Sequence, residues 1–108
     1  MKQIHKDDIC VVTRSEVDVN RYYGRGRNNN LPFCMLKFQD SAESTKENGF
    51  TLEAVIACTI DRLEHFNTGQ FKCDHNDRAL EHLRGALKEL NDRVEDRKAR
   101  DVYNTDKA

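Results

Sequence analysis

At 108 residues the chain is long enough for one small core. Only 37% of it is apolar, 34% is charged and the mean hydropathy is −0.86, so part of the core is expected from a second copy of the chain. No apolar run approaches the ~18 residues of a membrane span and no secretory apolar stretch opens the chain, which points to a cytosolic protein. Residues 1–39 carry seven Lys/Arg against four Asp/Glu and residues 40–108 eleven against fifteen, for a net −1, which argues against a long nucleic-acid footprint.

Ile9-Cys10-Val11-Val12-Thr13 is a β-branched run and reads as a strand, with Val17-Asp18-Val19 as a second strand or its continuation. The stretch from Arg21 to Asn30, with its glycines, asparagines and three arginines, reads as a basic loop. Residues 31–39 return to strand character, and Pro32 marks an edge or a strand start. Period two sets Cys34, Leu36 and Phe38 on the expected core face, and Phe33, Met35 and Lys37 on the other, leaving Lys37 half-buried between two large apolar groups. Residues 40–48 are polar and irregular, and Gly49 ends them.

Thr51 is then placed as an N-cap, with Glu53 in the first turn of a helix whose Leu52, Val55, Ile56, Ile60 and Leu63 share one face. Gly69 closes that region. Asp74 is expected to cap the next helix, with Asp77 imitating a capping box. Leu80, Leu83, Leu87, Leu90 and Val94 repeat at a/d spacing, flanked by Ala79 and Ala86. Glu89–Arg93 and Asp96–Arg100 are acid-first i,i+4 pairs. The expectation is an α+β chain, a single domain over residues 1–108. A strand-rich part (1–39) forms a small antiparallel sheet, a two-helix hairpin follows (51–100), and a tail (101–108) ends the chain.

The turn of that hairpin carries the side chains with chemistry. Phe66, at the end of the first helix, is either a packing residue at the hairpin tip or a stacking platform for a base. Asn76, in the first turn of the second helix, either caps it or offers a donor and an acceptor to an adenine edge, at a helix end that also favours phosphate. Arg93 sits beside the apolar stripe, whereas Arg97 and Arg100 read as a salt-paired helix end. Asn76 and Arg93 are seventeen residues apart on one helix, hence about 25 Å. They share a small ligand only if the site is built from two subunits, in two equivalent copies. The cysteines, Cys10, Cys34, Cys58 and Cys73, form no Cys-x-x-Cys pair and read as reduced apolar residues. Cys73-x-His75 with His82 lacks a fourth ligand at any zinc spacing, so neither metal nor cofactor is expected.

Several motifs in the same order resemble a known family. They are Cys34-Met35-Leu36-Lys37-Phe38-Gln39-Asp40, Lys46-Glu47-Asn48-Gly49, Ile60-Asp61-Arg62-Leu63-Glu64-His65-Phe66-Asn67, Phe71-Lys72-Cys73, Ala79-Leu80-Glu81-His82-Leu83 and Asp96-Arg97-Lys98-Ala99-Arg100. Over residues 34–105 the chain is similar to the first family of bacteriophage Thoeris anti-defence proteins, which shares a helical hairpin with anti-CBASS sponges. The resemblance implies a sponge in the cytoplasm of the infected host, a homodimer or hexamer, that sequesters glycocyclic ADP-ribose uncleaved and, as a second class, CBASS cyclic oligonucleotides. It implies that Phe66 stacks on adenine, Asn76 makes a polar contact and Arg93 holds phosphate. Lys37, Arg100 and Thr105 complete the ligand-binding set. Lys37 stands where the family usually has Arg, and the tail from Ala99 to Asp106 lacks the family's two glycines. The competing classes are a small hydrolase of the same nucleotide, using His65 or His75, and a small RNA-binding protein using the arginines of residues 21–27.

Overall fold

In the computed structural model, which describes residues 1–40 and 48–101, the chain forms two compact units, one holding residues 1–40 and 48–50 and the other 51–101. The first is a four-stranded antiparallel sheet in the order β1-β2-β3-β4, from β1 (Lys2–Lys6), β2 (Cys10–Arg14), β3 (Arg21–Gly26) and β4 (Pro32–Lys37). The second is a helical hairpin of α1 (Leu52–Phe66) and α2 (Asp74–Ala99) joined through a 3-10 turn, Gly69–Phe71. The α+β order expected from the sequence is the order observed.

Three strand expectations are corrected. β1 was not foreseen: all five of its side chains are exposed, so it carries no hydrophobic alternation and is held by backbone pairing to β2. Val17 and Val19 are not in a strand, because Ser15 Oγ accepts from the N–H of Val17 (3.2 Å) and Asp18 (3.0 Å), and Asp18 Oδ1 from Asn20 (3.0 Å). Those side-chain bonds offer the backbone a turn in place of a ladder. Third, residues 21–26 are not loop but an inner strand, flanked by β2 and β4. Only residues 27–30 turn, with Asn30 at φ 59°, a conformation Asn tolerates better than most residues.

Pairing also decides the β4 faces. Leu36 pairs with Tyr22, and the Tyr22 ring meets Phe38 edge-on at a centroid distance of 5.5 Å. The expected core face is thus formed at that end. Cys34 was placed on the same face but is exposed, because its partner across the ladder is Gly24, which has no side chain to cover it. Lys37 is half-buried as expected, opposite Arg21. Gly49 is needed where it stands. Phe50 bridges in parallel to Phe38, and a Cβ at residue 49 would lie 2.6 Å from the backbone of Phe38 and Gln39.

In the hairpin, Thr51 is the N-cap of α1, its Oγ1 accepting from the N–H of Ala54 at 3.1 Å. Leu80 is buried and Leu83, Leu87, Leu90 and Val94 are half-buried along α2, as the a/d spacing requires. Two ion pairs clip the helices together: Arg84 to Glu64 at 2.6 Å and Arg93 to Glu53 at 3.2 Å. α2 has 26 residues against 15 in α1, or about 39 Å against 22 Å. Among the described residues, Val11 and Leu80 are the buried hydrophobics, and the other apolar side chains of both units are half-buried or exposed. No helix among the described residues is long and apolar enough to cross a membrane.

Candidate functional site at the hairpin tip

The connection between the helices is built by side chains. α1 ends at Asn67, whose N–H donates to Leu63 O at 2.8 Å. The Asn67 amide then reaches across the turn: its Oδ1 accepts from Cys73 N at 3.2 Å and its Nδ2 donates to Asp77 Oδ1 at 2.8 Å. Asp77 also receives Lys72 Nζ on both oxygens, at 2.8 and 3.1 Å. The expected capping box is therefore corrected. Cys73, not Asp74, is the N-cap residue and has no side-chain cap bond. Asn67, from the preceding helix, satisfies the N–H that a capping-box carboxylate would have taken, and Asp77 turns to Lys72 instead. Gly69, at φ 57°, supplies the left-handed residue this tight return needs.

Charge follows geometry here. Lys72 and then Asn67 hold the Asp77 carboxyl below its ordinary value, and Asp77 in turn pushes the Lys72 ammonium up. Asp77's contribution to stability is present above its ordinary value of 3.8 and lost as pH falls through the lowered folded value. That of Lys72 is present below 10.5 and lost as pH rises through its raised value. Thermal unfolding of Asp77→Asn should therefore lie below wild type across the neutral range and converge on it in acid. The difference should be small and should shrink at high salt, because both side chains are exposed. A difference that did not shrink as the pH fell below 3.8 would contradict this assignment.

On this turn stand two phenylalanines. Phe66 and Phe71 pair with ring centroids 5.2 Å apart and planes tilted by 34°, yet they remain 49% and 54% exposed. Asn76 Nδ2 donates to Phe71 O at 3.1 Å, so the amide fixes the carbonyl beneath that ring and does not cap α2 through its own side chain. Phe66 and Asn76 are thus brought to one place, with Phe71 as the link. Phe71 was not singled out from the sequence. Its signal was a large aromatic inside an otherwise polar turn, where no helical period calls for one. Beside the rings, Val55, Cys58, Thr59, Arg62, Leu63 and Phe66 line a shallow groove of ≈ 470 Å³ along α1. These positions follow i, i+3/i+4, i+7 spacing, so the groove runs along the edge of the apolar stripe of α1, sharing Val55 and Leu63 with it.

Arg93 and Arg100 stand far along α2 from the tip. Arg93 is on the unbroken α2 about 25 Å along the axis from Asn76. It pairs with Glu53 of α1 rather than with Glu89 as expected, because Glu53, only 20% exposed, points across the hairpin. Arg100 follows α2 as its C-cap and makes the expected bond to Asp96, 2.9 Å. Lys37 closes β4 in the sheet unit. Thr105 lies outside the described residues. His75 Nδ1 lies 3.2 Å from the Arg78 guanidinium, a cation rather than the carboxylate that would tune a general base.

Similarity to known proteins agrees with this architecture. The model of the family described as "Acb2/Tad1, hairpin domain" matches residues 36–95, which hold both helices and the turn between them almost entire. A curated relative, Thoeris anti-defense 1 of Bacillus phage SBSphiJ7, is 33% identical over 98 residues, covering 82% of this chain and 69% of the relative. With the hairpin, its tip and this match in hand, the chain belongs to the Acb2/Tad1 hairpin family of Thoeris anti-defence proteins.

Proposed function

We propose that this protein is a phage anti-defence sponge. It binds a cyclic ADP-ribose-type nucleotide, glycocyclic ADP-ribose first among them, and removes it from the Thoeris response in the host cytoplasm without cleaving it. The observation that carries the reading is the half-exposed Phe66–Phe71 pair at the hairpin tip. Two large rings held at a rigid turn give a base a π-face at little ordering cost, and base–aromatic stacking is worth ~1–3 kcal/mol. The relative's name, Thoeris anti-defense 1, supports the same role. Cyclic oligonucleotides are a second ligand class for the same chain.

The whole chain works in this reading as one sponge domain in a homo-oligomer, a dimer or a hexamer assembled from dimers. The occupant proposed for the α1 groove is a second copy. The groove is mostly apolar and α1 buries no residue within the chain. A head-to-tail crossing of two hairpins would also bring Arg93 of one chain to Phe66 and Asn76 of its partner, which a single chain forbids by about 25 Å. Phosphate at that junction would meet Arg93 and the α2 N-terminus together.

The test is the fate of the ligand. Protein incubated with glycocyclic ADP-ribose should deplete it from solution in proportion to its sites and return it chemically intact on heat denaturation. Chromatography with a Thoeris effector as activity reporter reads both steps. Conversion of many equivalents into a linear product would overturn sequestration and make His65 and His75 the first residues to replace.

A further inference from the structure

The β1–β2 turn gathers three different metal-ligating side chains that the hairpin site does not use. His5, Asp7 and Cys10 each offer one ligand atom, and these atoms all lie within 4.8 Å of one another. Among the described residues no other such group forms. His5 Nε2 is 2.9 Å from Asp7 Oδ2, and Cys10 Sγ is 3.7 Å from the same oxygen. A tetrahedral zinc ion with bonds of about 2.0 Å to N and O and 2.3 Å to S separates its donors by about 3.3–3.5 Å. Both separations from Asp7 Oδ2 are therefore within about half an ångström of those in a coordination face, and His5 and Cys10 lie no more than 4.8 Å apart.

The turn is built to hold them there. Asp7 Oδ1 accepts from Ile9 N and Cys10 N, both at 2.8 Å, which turns Oδ2 toward His5 and Cys10. Asp7 N donates to Cys10 O at 3.1 Å, and Arg27 N, just past the end of β3, donates to Ile9 O at 2.9 Å and ties the turn to the neighbouring chain segment. Arg27 Nη1 reaches the Asp7 carbonyl, but its charge is answered by Asp8 Oδ1 at 3.2 Å. The local charge thus leaves the Asp7 carboxylate available to a cation. Outer hydrogen bonds that orient a ligand are half of what makes a metal site.

We propose that His5, Asp7 and Cys10 form a binding site for a divalent transition-metal ion of the zinc type, with the fourth position taken by water. The mixed nitrogen, oxygen and sulfur set suits a borderline ion and not magnesium or calcium, which take oxygen donors. The ion would replace the His5–Asp7 hydrogen bond and tie β1, whose side chains are all exposed, to the first residue of β2. In a sheet unit whose buried hydrophobic residue is Val11 alone among those described, such a clip adds what the core does not.

The full chain, kept reduced and free of chelator, is titrated with Co²⁺ and read by absorption. Bound cobalt should give a thiolate charge-transfer band and the intense visible bands of tetrahedral coordination, saturating at one ion per chain and displaced by Zn²⁺. Cys10→Ser should abolish the charge-transfer band. Asp7→Asn keeps the carbonyl oxygen that receives Ile9 and Cys10, so it should fold as wild type by circular dichroism and yet bind at least about tenfold more weakly. Cys34→Ser and Cys73→Ser should bind as wild type. Absence of a charge-transfer band in the wild-type chain overturns the proposal. So does a band that survives Cys10→Ser or disappears with Cys73→Ser, and so does an Asp7→Asn chain that folds and binds unchanged.

Discussion

Phe66→Ala should weaken binding of glycocyclic ADP-ribose by ~1–3 kcal/mol, roughly five- to 150-fold, and leave the hairpin folded. The ring is half-exposed and paired with Phe71, so truncation removes a stacking surface and very little core. Phe71→Ala should have a smaller effect of the same sign, because it frees Phe66 to turn away from the ligand. Calorimetry gives the affinity and circular dichroism the helix content. Loss of helix in Phe66→Ala would mean that the ring serves packing. Unchanged affinity in both variants would remove the hairpin tip from the site altogether.

Mixing two weakened variants should restore tight binding if the site is shared between chains. Phe66→Ala and Arg93→Ala each spoil both sites of a homodimer. Co-refolded in equal amounts, half of the dimers are mixed, and each mixed dimer has one site carrying both defects and one carrying neither. About a quarter of all sites should then bind at wild-type affinity. Titration with ligand counts those sites directly, and no recovery would mean that Phe66 and Arg93 do not meet across an interface. The control is Glu53→Gln, which breaks the same clip to Arg93 at 3.2 Å without removing the guanidinium. If it weakens binding as much as Arg93→Ala does, Arg93 acts by holding the hairpin rather than by touching phosphate.

The helical half of the molecule was legible because its signals are local. Thr51 captures the Ala54 N–H three residues on, and Leu80, Leu83, Leu87 and Leu90 repeat at a spacing that one helix alone imposes. The family motifs lie mostly on these segments, so the resemblance was legible with them. The sheet was less so. β3 carries two glycines and three arginines including its neighbour Arg27, a composition that reads as loop until β2 and β4 supply hydrogen-bonding partners on both sides. β1 has no apolar face at all, and only its register with β2 makes it a strand.

Side-chain destinations divide in the same way. By itself the sequence determined the hairpin, its cap at Thr51, the position of Phe66 at the tip, and the span that keeps Asn76 from Arg93 on one helix. Tertiary structure alone decided that Asn67 and Asp77 lock the turn, that Phe71 backs Phe66, that Arg93 chooses Glu53 over Glu89, and that His5, Asp7 and Cys10 converge. Helical periodicity is written in spacings of three and four residues, whereas each of these contacts depends on how a turn or a partner strand folds back. A polar side chain has several partners within reach, and only the path of the backbone selects among them.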